Sequence, residues 1–139
     1  NAIGAKKLKN CLIIDFGTAT TFDVIKNGTY EGGVIAPGIN LSIKNLSQAT
    51  ALLPSINLKT YQKSYGKNTI EALNAGFVWG YEGLINNIID KIISKSKIKY
   101  KILLTGGYAN FFNKMIKKKV VIDQDITIKG IANAYKELI

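Results

Sequence analysis

The sequence predicts an α/β domain of the ribonuclease H-like type, in which a mixed sheet carries helices on both faces. Three strands follow one another in residues 11–36, and from residue 38 onward two helices are followed by alternating strands and helices. Asn27-Gly28, between the second and third of these strands, is a strong signal for a two-residue hairpin turn and makes those strands antiparallel. A doubly wound dinucleotide-binding fold alternates strands with helices from its start, so this order of elements disfavours it.

Hydrophobic runs and helix-ending residues define the individual elements. CLIIDF (11–16) is a short apolar run typical of a strand inside a sheet, and ATTFDVI and YEGGVIA flank the hairpin turn. We expect residues 1–10 to form the end of a helix, because their apolar residues have helical spacing. The later elements are a helix over 38–51, a long helix capped by Asn68 or Thr69 and ending at about Lys95, a strand at KYKILLTGG, a short helix at YANFFNKMI, a strand at VVID and a helix in DITIKGIANAYKELI.

Length and composition favour a single domain over residues 1–139. The formal charge of +10 comes from nineteen lysines without any arginine, a pattern typical of codon bias. Because arginine is the usual bidentate reader of phosphate and guanine, we do not expect a nucleic-acid partner. The single cysteine, Cys11, lies in an apolar run and has no partner for a disulfide, so we expect a cytoplasmic protein. No stretch is apolar over the ~18 residues that a membrane span requires.

Two glycine turns directly after apolar strands are the main candidates for chemistry. Asp15 ends the first strand, where a cation would compensate its charge, and Gly17 and Thr18 follow it. The glycine permits a close backbone approach to an anion, and backbone amides and the threonine hydroxyl are donors to phosphate oxygens. Gly106 and Gly107 form the second turn, about ninety residues later. Each turn alone is also typical of an ordinary strand end, but together in this order of elements they predict the two sides of a nucleotide cleft.

Two further motifs contain glycine. GGVIAPG (32–38) ends the third strand, and Gly66-Lys67-Asn68-Thr69 opens the long helix, where Asn68 and Thr69 are ordinary capping residues that also have the chemistry to contact a polar ligand. Within the long helix, Gly76, Gly80 and Gly83 share one face, which we expect to pack against the sheet or a partner subunit.

These motifs together resemble the type III pantothenate kinases. IDFGTATTFDV, GGVIAPGI, the Leu-Pro pair at 53–54, GKNTIEALNAG and LLTGG occur in the family's order over essentially the whole chain. The resemblance implies an actin-like ATPase fold and transfer of the γ-phosphate of ATP to the 4′-hydroxyl of pantothenate, the first step of coenzyme A biosynthesis. It further implies a homodimer whose two-domain subunits bind pantothenate near their contact.

The resemblance also assigns roles to residues. Asp15 matches the aspartate that holds a monovalent cation, potassium or ammonium, and Thr18 matches the threonine that contacts ATP, which enters with Mg²⁺. Gly17, Gly106 and Gly107 match the nucleotide-binding turns, and Thr69 matches the threonine that contacts pantothenate.

Two family motifs are absent from the sequence. These are the Asp-x-Gly-Asn-Thr phosphate segment and the Gly-x-Asp-Arg segment, whose aspartate is the expected general base. We therefore expect no catalytic base in this chain, a base upstream of Asn1, and a fragment that is inactive alone because it is the second domain of a two-domain kinase. The alternatives are a non-catalytic regulatory or transcription accessory protein of the same fold and, from the +10 charge, a nucleic-acid-binding domain.

Overall fold

A computed structural model describes residues 1–5, 7–59 and 64–139. Its elements are, in chain order, β1 (Cys11–Phe16), β2 (Ala19–Lys26), β3 (Thr29–Pro37), α1 (Ile39–Ala49), α2 (Thr69–Ser94), β4 (Lys101–Gly106), α3 (Ala109–Phe112), β5 (Val120–Ile122) and α4 (Ile126–Leu138). The sheet has the strand order β3-β2-β1-β4-β5. The β1–β2 and β2–β3 pairs are antiparallel, whereas β1–β4 and β4–β5 are parallel. This mixed sheet confirms the ribonuclease H-like prediction.

The turn between β2 and β3 forms as its sequence indicates. Lys26 pairs with Thr29, which leaves Asn27 and Gly28 as the two central residues. Their φ angles are 52° and 76°, in the left-handed region that asparagine and glycine tolerate best. Local sequence alone therefore fixes this hairpin.

Helices cover both faces of the sheet, as predicted, because side chains alternate along the central strand. Leu12, Ile14 and Phe16 of β1 point into a large core shared with α1, α2 and α3. Cys11 and Ile13 point to the other face, into a smaller core closed by α4 and the N-terminal residues. Period-two alternation thus divides one buried strand between two cores.

The prediction of a helix over residues 1–10 is wrong. The described residues of this segment form turns, in which the amide of Ala5 donates to the carbonyls of Asn1 and Ala2, each at 3.2 Å. A Cβ at Gly4 would lie 2.0 Å from the carbonyl oxygen of Ile126, so the turn packs backbone against backbone on the start of α4. Ala5 is buried in the smaller core, and Ala2 and Leu8 pack against that core, which accounts for three of the four apolar residues in this segment.

Helix α2 begins and ends close to the predicted positions. The Asn68 side chain accepts a hydrogen bond from the amide of Glu71 at 2.9 Å, and the Glu71 carboxylate accepts one from the amide of Lys67 at 2.9 Å. These bonds satisfy backbone donors that the helix itself leaves unpaired. The buried Tyr81 hydroxyl donates to the carbonyl of Pro37 at 3.1 Å and shares a 2.7 Å hydrogen bond with Ser42, which ties α2 to the end of β3 and to α1.

The glycine face of α2 does not pack on the sheet, so that part of the prediction is wrong. A Cβ at Gly76, Gly80 or Gly83 would meet nothing within 4 Å. Residues on the opposite face, such as Ile85 and Ile89, are fully buried and belong to the large core that packs on the sheet. Within the described residues, no helix combines the length and apolar character that crossing a membrane requires.

Candidate functional site

The two predicted glycine turns lie side by side. Strands β1 and β4 are parallel neighbours in which Phe16 pairs with Gly106, so both strands end at the same edge of the sheet. The amide of Gly107 donates to the carbonyl of Phe16 at 3.1 Å and joins the two turns directly. Residues ninety positions apart in the sequence thus form one edge, as expected for the carboxyl ends of parallel strands.

Gly106 holds this junction together and does not itself line the cleft. Its φ is +89°, and a Cβ there would lie 2.6 Å from the carbonyl oxygen of Phe16. The Gln124 side chain binds both polar backbone groups of Gly106: it accepts from the amide and donates to the carbonyl, each at 3.1 Å. Glycine is required here because the β1 and β4 backbones approach too closely for any side chain.

A cleft of about 420 Å³ opens above this edge. It is lined by Phe16, Gly17, Thr18, Asn40, Leu41, Lys44, Gly107 and Tyr108. Of the residues predicted to bind ATP, the structure therefore brings Gly17, Thr18 and Gly107 together, whereas Gly106 lies behind them.

The amides of these glycines are already engaged within the protein. Gly17 donates to the carbonyl of Ala19 at 3.1 Å, and the amides of Gly107 and Gly106 donate to Phe16 and Gln124. The main contribution of these glycines is therefore space for a ligand, because their amides already donate hydrogen bonds within the protein. A Cβ at Gly107 would meet nothing within 4 Å, which confirms the open space at that position.

Helix α1 supplies a wall that the sequence analysis did not identify. Asn40, Leu41 and Lys44 lie on one side of this helix and face the glycine turns across the cleft. Lys44 brings a positive charge to a cleft for which the sequence offers no arginine. The i, i+4 spacing of Asn40 and Lys44 directly after the GGVIAPG motif was the available signal.

Tyr108 connects the two sides of the cleft. Its hydroxyl donates to the side-chain oxygen of Asn40, which lies on α1. Burial raises the pKa of the Tyr108 phenol, so it remains a neutral donor at physiological pH. The Tyr108 ring also contacts the rings of Phe111 and Phe112, and these contacts restrict its orientation.

Gly38 explains why α1 lies so close to the first turn. A Cβ on Gly38 would lie 1.8 Å from the carbonyl oxygen of Thr18. The β3–α1 junction therefore rests directly on the Gly17-Thr18 turn, and this contact places Asn40 and Lys44 opposite it. The last glycine of GGVIAPG is thus a packing residue that shapes the cleft.

Asp15 lies at the same edge but on the other face of the sheet. Its register partners are Thr21 on β2 and Thr105 on β4, and the Asn1 side chain donates to its Oδ2 at 2.7 Å. Burial raises the pKa of nearby Asp23 and the charge of Asp15 raises it further, because the two carboxylates repel each other.

A hard, singly charged cation fits these groups. Carboxylate and hydroxyl oxygens suit such an ion, and its charge would relieve the repulsion between Asp15 and Asp23. In the part of the chain that the structure describes, no three or more His, Cys, Asp or Glu residues are grouped as a metal cage would require.

Comparison with known proteins identifies the family. The family model for type III pantothenate kinase matches residues 1–91. The chain belongs to the type III pantothenate kinase family. A type III pantothenate kinase from Pelagibacter ubique is 52% identical over 125 residues, which are 90% of this chain and 50% of that protein. One from Acidiphilium cryptum is 43% identical over 141 residues, which cover 93% and 53% of the two chains. The chain thus spans about half the length of these relatives.

Solved structures agree on the fold. A Baf family protein from Campylobacter jejuni, described as a transcriptional activator, superposes with a TM-score of 0.71 at 24% identity and covers 98% of this chain and 62% of its own. A 2-dehydro-3-deoxygalactonokinase from Sinorhizobium meliloti superposes with a TM-score of 0.67 at 12% identity, covering 98% and 57%. At these identities the likeness establishes a shared fold and nothing about function, so it does not support the regulatory alternative.

Thr69 lies apart from the cleft of this family member. It is the first residue of α2 and is exposed, and it is not among the residues that line the cleft. Its neighbour Asn68 is the cap, so the Thr69 hydroxyl is not required for that role. Residues 60–63, which precede this helix start, lie outside the described part of the chain.

Proposed function

We propose that this chain is the C-terminal nucleotide- and pantothenate-binding domain of a type III pantothenate kinase, the second of two domains. The complete enzyme would transfer the γ-phosphate of ATP to the 4′-hydroxyl of pantothenate and so open coenzyme A biosynthesis. The observation that carries the proposal is the cleft in which Gly17, Thr18 and Gly107 face Lys44. The family match supplies the substrate class.

In this proposal the cleft positions the phosphates of ATP. The Thr18 hydroxyl and the Lys44 ammonium bind phosphate oxygens, and the side-chain-free surface at Gly17 and Gly107 lets the nucleotide approach the backbone. Phosphoryl transfer requires mainly positioning and charge stabilisation from a protein, and these groups supply both. Asn40 and Tyr108, already hydrogen-bonded to each other, line the same cleft and form a polar part of its wall.

Asp15 would hold the monovalent cation, potassium or ammonium. The cation would add positive charge at the sheet edge above which the phosphates lie, and Mg²⁺ would enter with ATP. Asn1 donates to Asp15 and accepts from the hydroxyl of Thr127. A general-base aspartate a few residues before Asn1, as the family resemblance implies, would therefore lie near the Asp15 carboxylate.

Thr69 and the open face of α2 would serve the pantothenate side. Gly76, Gly80 and Gly83 leave this face without protruding side chains, and Trp79 beside them is 38% exposed. Small residues let two helices approach closely, so we propose this face as the contact of a homodimer.

We also propose a cytoplasmic location for the protein. Its single cysteine, Cys11, is fully buried and has no cysteine partner for a disulfide, as is usual in a reducing compartment.

Nucleotide binding by the 139-residue chain is the first test. Titration with ATP and MgCl₂, followed by isothermal calorimetry, is expected to show a single site. Lys44→Ala should weaken it about fivefold, as expected for one charge-assisted contact at an exposed position of about 1 kcal/mol. Lys97→Ala, an exposed lysine outside the cleft, is the matched control. Equal affinities for the two variants would refute the assignment of Lys44.

Turnover requires the other half of the protein. We expect no pantothenate-dependent ADP release from the chain alone. A fusion that places the N-terminal half of the Pelagibacter ubique kinase before Asn1 should release ADP only with pantothenate, and faster in potassium than in sodium. Phosphorylation of pantothenate by the chain alone would contradict the upstream base. A fusion that binds ATP but never turns over would favour the regulatory alternative.

A further inference from the structure

Helix α4 carries an apolar stripe that no described part of the protein covers. Its members recur at intervals of three and four residues, and each is between 66% and 87% exposed: Ile128, Ile131, Tyr135 and Leu138. This spacing places all four on one face of the helix. A sustained row of this kind on a surface helix is typical of a helix seam that packs against another element.

The stripe does not result from a loosely attached helix. On the opposite side of α4, Ile126 is 1% exposed and belongs to the smaller core. Gly130 lies so close to the N-terminal turn that a Cβ there would be 3.0 Å from the amide nitrogen of Gly4. One face of α4 is therefore firmly packed, and the other presents four large apolar side chains to solvent.

The N-terminus of the chain lies beside this helix. The Thr127 hydroxyl donates to the Asn1 side chain, and the Asn133 side chain donates to the carbonyl of Ile3 at 3.5 Å. Polypeptide that precedes Asn1 would thus emerge next to the first turn of α4. The relatives carry about as much chain again as this sequence contains, because the matched region is 50% of the Pelagibacter ubique protein.

We propose that the α4 stripe is the docking surface for the polypeptide that precedes Asn1 in the longer protein. This inference rests on the two-domain part of the proposed function. A segment joined covalently at Asn1 is present next to the stripe at a high effective concentration, whereas a second copy of the chain must be recruited from solution. The stripe would then hold the two halves together from outside the cleft, on the face of the sheet that carries Asp15.

Cysteine labelling tests this proposal. Native Cys11 is fully buried, and burial raises its pKa to about 11 despite the opposing charge of Lys101, so it reacts slowly with thiol reagents. An Ile131→Cys substitution therefore introduces a fast-reacting thiol into this chain, and the unsubstituted fusion measures the background from any other thiol. Its labelling by dithionitrobenzoate is measured in the chain alone and in the fusion with the N-terminal half of the Pelagibacter ubique kinase.

We expect labelling of Ile131→Cys to be at least tenfold slower in the fusion than in the chain alone. Lys97→Cys, exposed in the loop after α2, is the control and should react equally fast in both proteins. Ile128→Cys provides a second reporter on the stripe if the first variant folds poorly. Equal rates for a stripe cysteine in both proteins would overturn the proposal. Protection already present in the chain alone and lost on dilution would also overturn it, because a second copy would then be the occupant.

The labelling is read without ATP or pantothenate, so it is independent of activity. A fusion that phosphorylates pantothenate while Ile131→Cys stays reactive refutes the docking surface and leaves the proposed function intact. A protected cysteine in an inactive fusion supports the docking surface and counts against the proposed function.

Discussion

Replacing Gly106 by alanine tests the junction on which the cleft is built. The residue has φ +89°, and a Cβ would lie 2.6–2.7 Å from three backbone atoms of Phe16. The left-handed conformation costs about 1–2 kcal/mol for a residue with a Cβ. Relief of the backbone contact costs a further ~1–3 kcal/mol, as in overpacked cores. We therefore expect Gly106→Ala to lower the free energy of unfolding by about 3 kcal/mol.

Urea denaturation followed by circular dichroism measures this effect. With a denaturant slope of about 2 kcal/mol/M, the midpoint should fall by about 1.5 M. Gly107→Ala is the matched control, because its Cβ would meet nothing within 4 Å and its φ is not positive. We expect the control to stay within about 0.5 kcal/mol of the parent chain. The reasoning is refuted if the two variants unfold at the same urea concentration.

Three further predictions concern the helix cap, the buried thiol and the first turn. Asn68→Ala should lower the free energy of unfolding by about 1 kcal/mol, because the amide of Glu71 loses its acceptor. Asn68→Asp keeps an acceptor at this position and should retain most of the stability of the parent chain. Equal thermal midpoints for the two variants would contradict this prediction. Burial raises the pKa of Cys11 from 9.0 to about 11, so the thiol ionises at a lower pH in the unfolded chain than in the folded one. Its contribution to stability is complete below pH 9 and is lost as the pH rises from 9 to 11, by roughly 3 kcal/mol at most. Urea denaturation at pH 8 and at pH 10 should show that the free energy of unfolding falls less between these pH values for Cys11→Ala than for the parent chain. Equal falls for the two proteins would disprove this prediction. Gly38→Ala should both destabilise the chain and weaken ATP binding, because its Cβ would lie 1.8 Å from the carbonyl oxygen of Thr18. If calorimetry shows an unchanged affinity for ATP, this contact does not shape the cleft.

Where a few adjacent residues decide the conformation, the sequence predicted the structure well. Asn27-Gly28 fixes the hairpin through the tolerance of these two residues for positive φ, and Asn68 with Glu71 caps α2 through neighbouring side chains. Residues 1–10 show the limit of such reasoning. Their apolar spacing fits a helix, but a close backbone contact between Gly4 and Ile126 of α4 imposes turns instead.

In the candidate site, too, some residues could be predicted from the sequence and others depend on tertiary packing. The sequence identified Gly17, Thr18 and Gly107, because glycines and hydroxyls after apolar strands are visible in the order of residues. It missed Lys44 and Tyr108, whose place in the cleft depends on how α1 and α3 pack over the sheet edge. The sequence also predicted the same role for Gly106 and Gly107. In the structure, Gly106 lies against the backbone of Phe16, whereas Gly107 faces open space.

By itself, the sequence determined the order of the elements, the mixed sheet, the two glycine turns and the likeness to a kinase family, since these depend on local conformation and on motifs along the chain. The tertiary structure alone decided that Gly38 rests on Thr18 and thereby sets α1 against the first turn, and that α4 presents an apolar stripe. The physical reason is that each of these facts is a contact, or the lack of one, between segments far apart in the chain. Such contacts follow from close packing and strand register, which no local pattern of residues specifies.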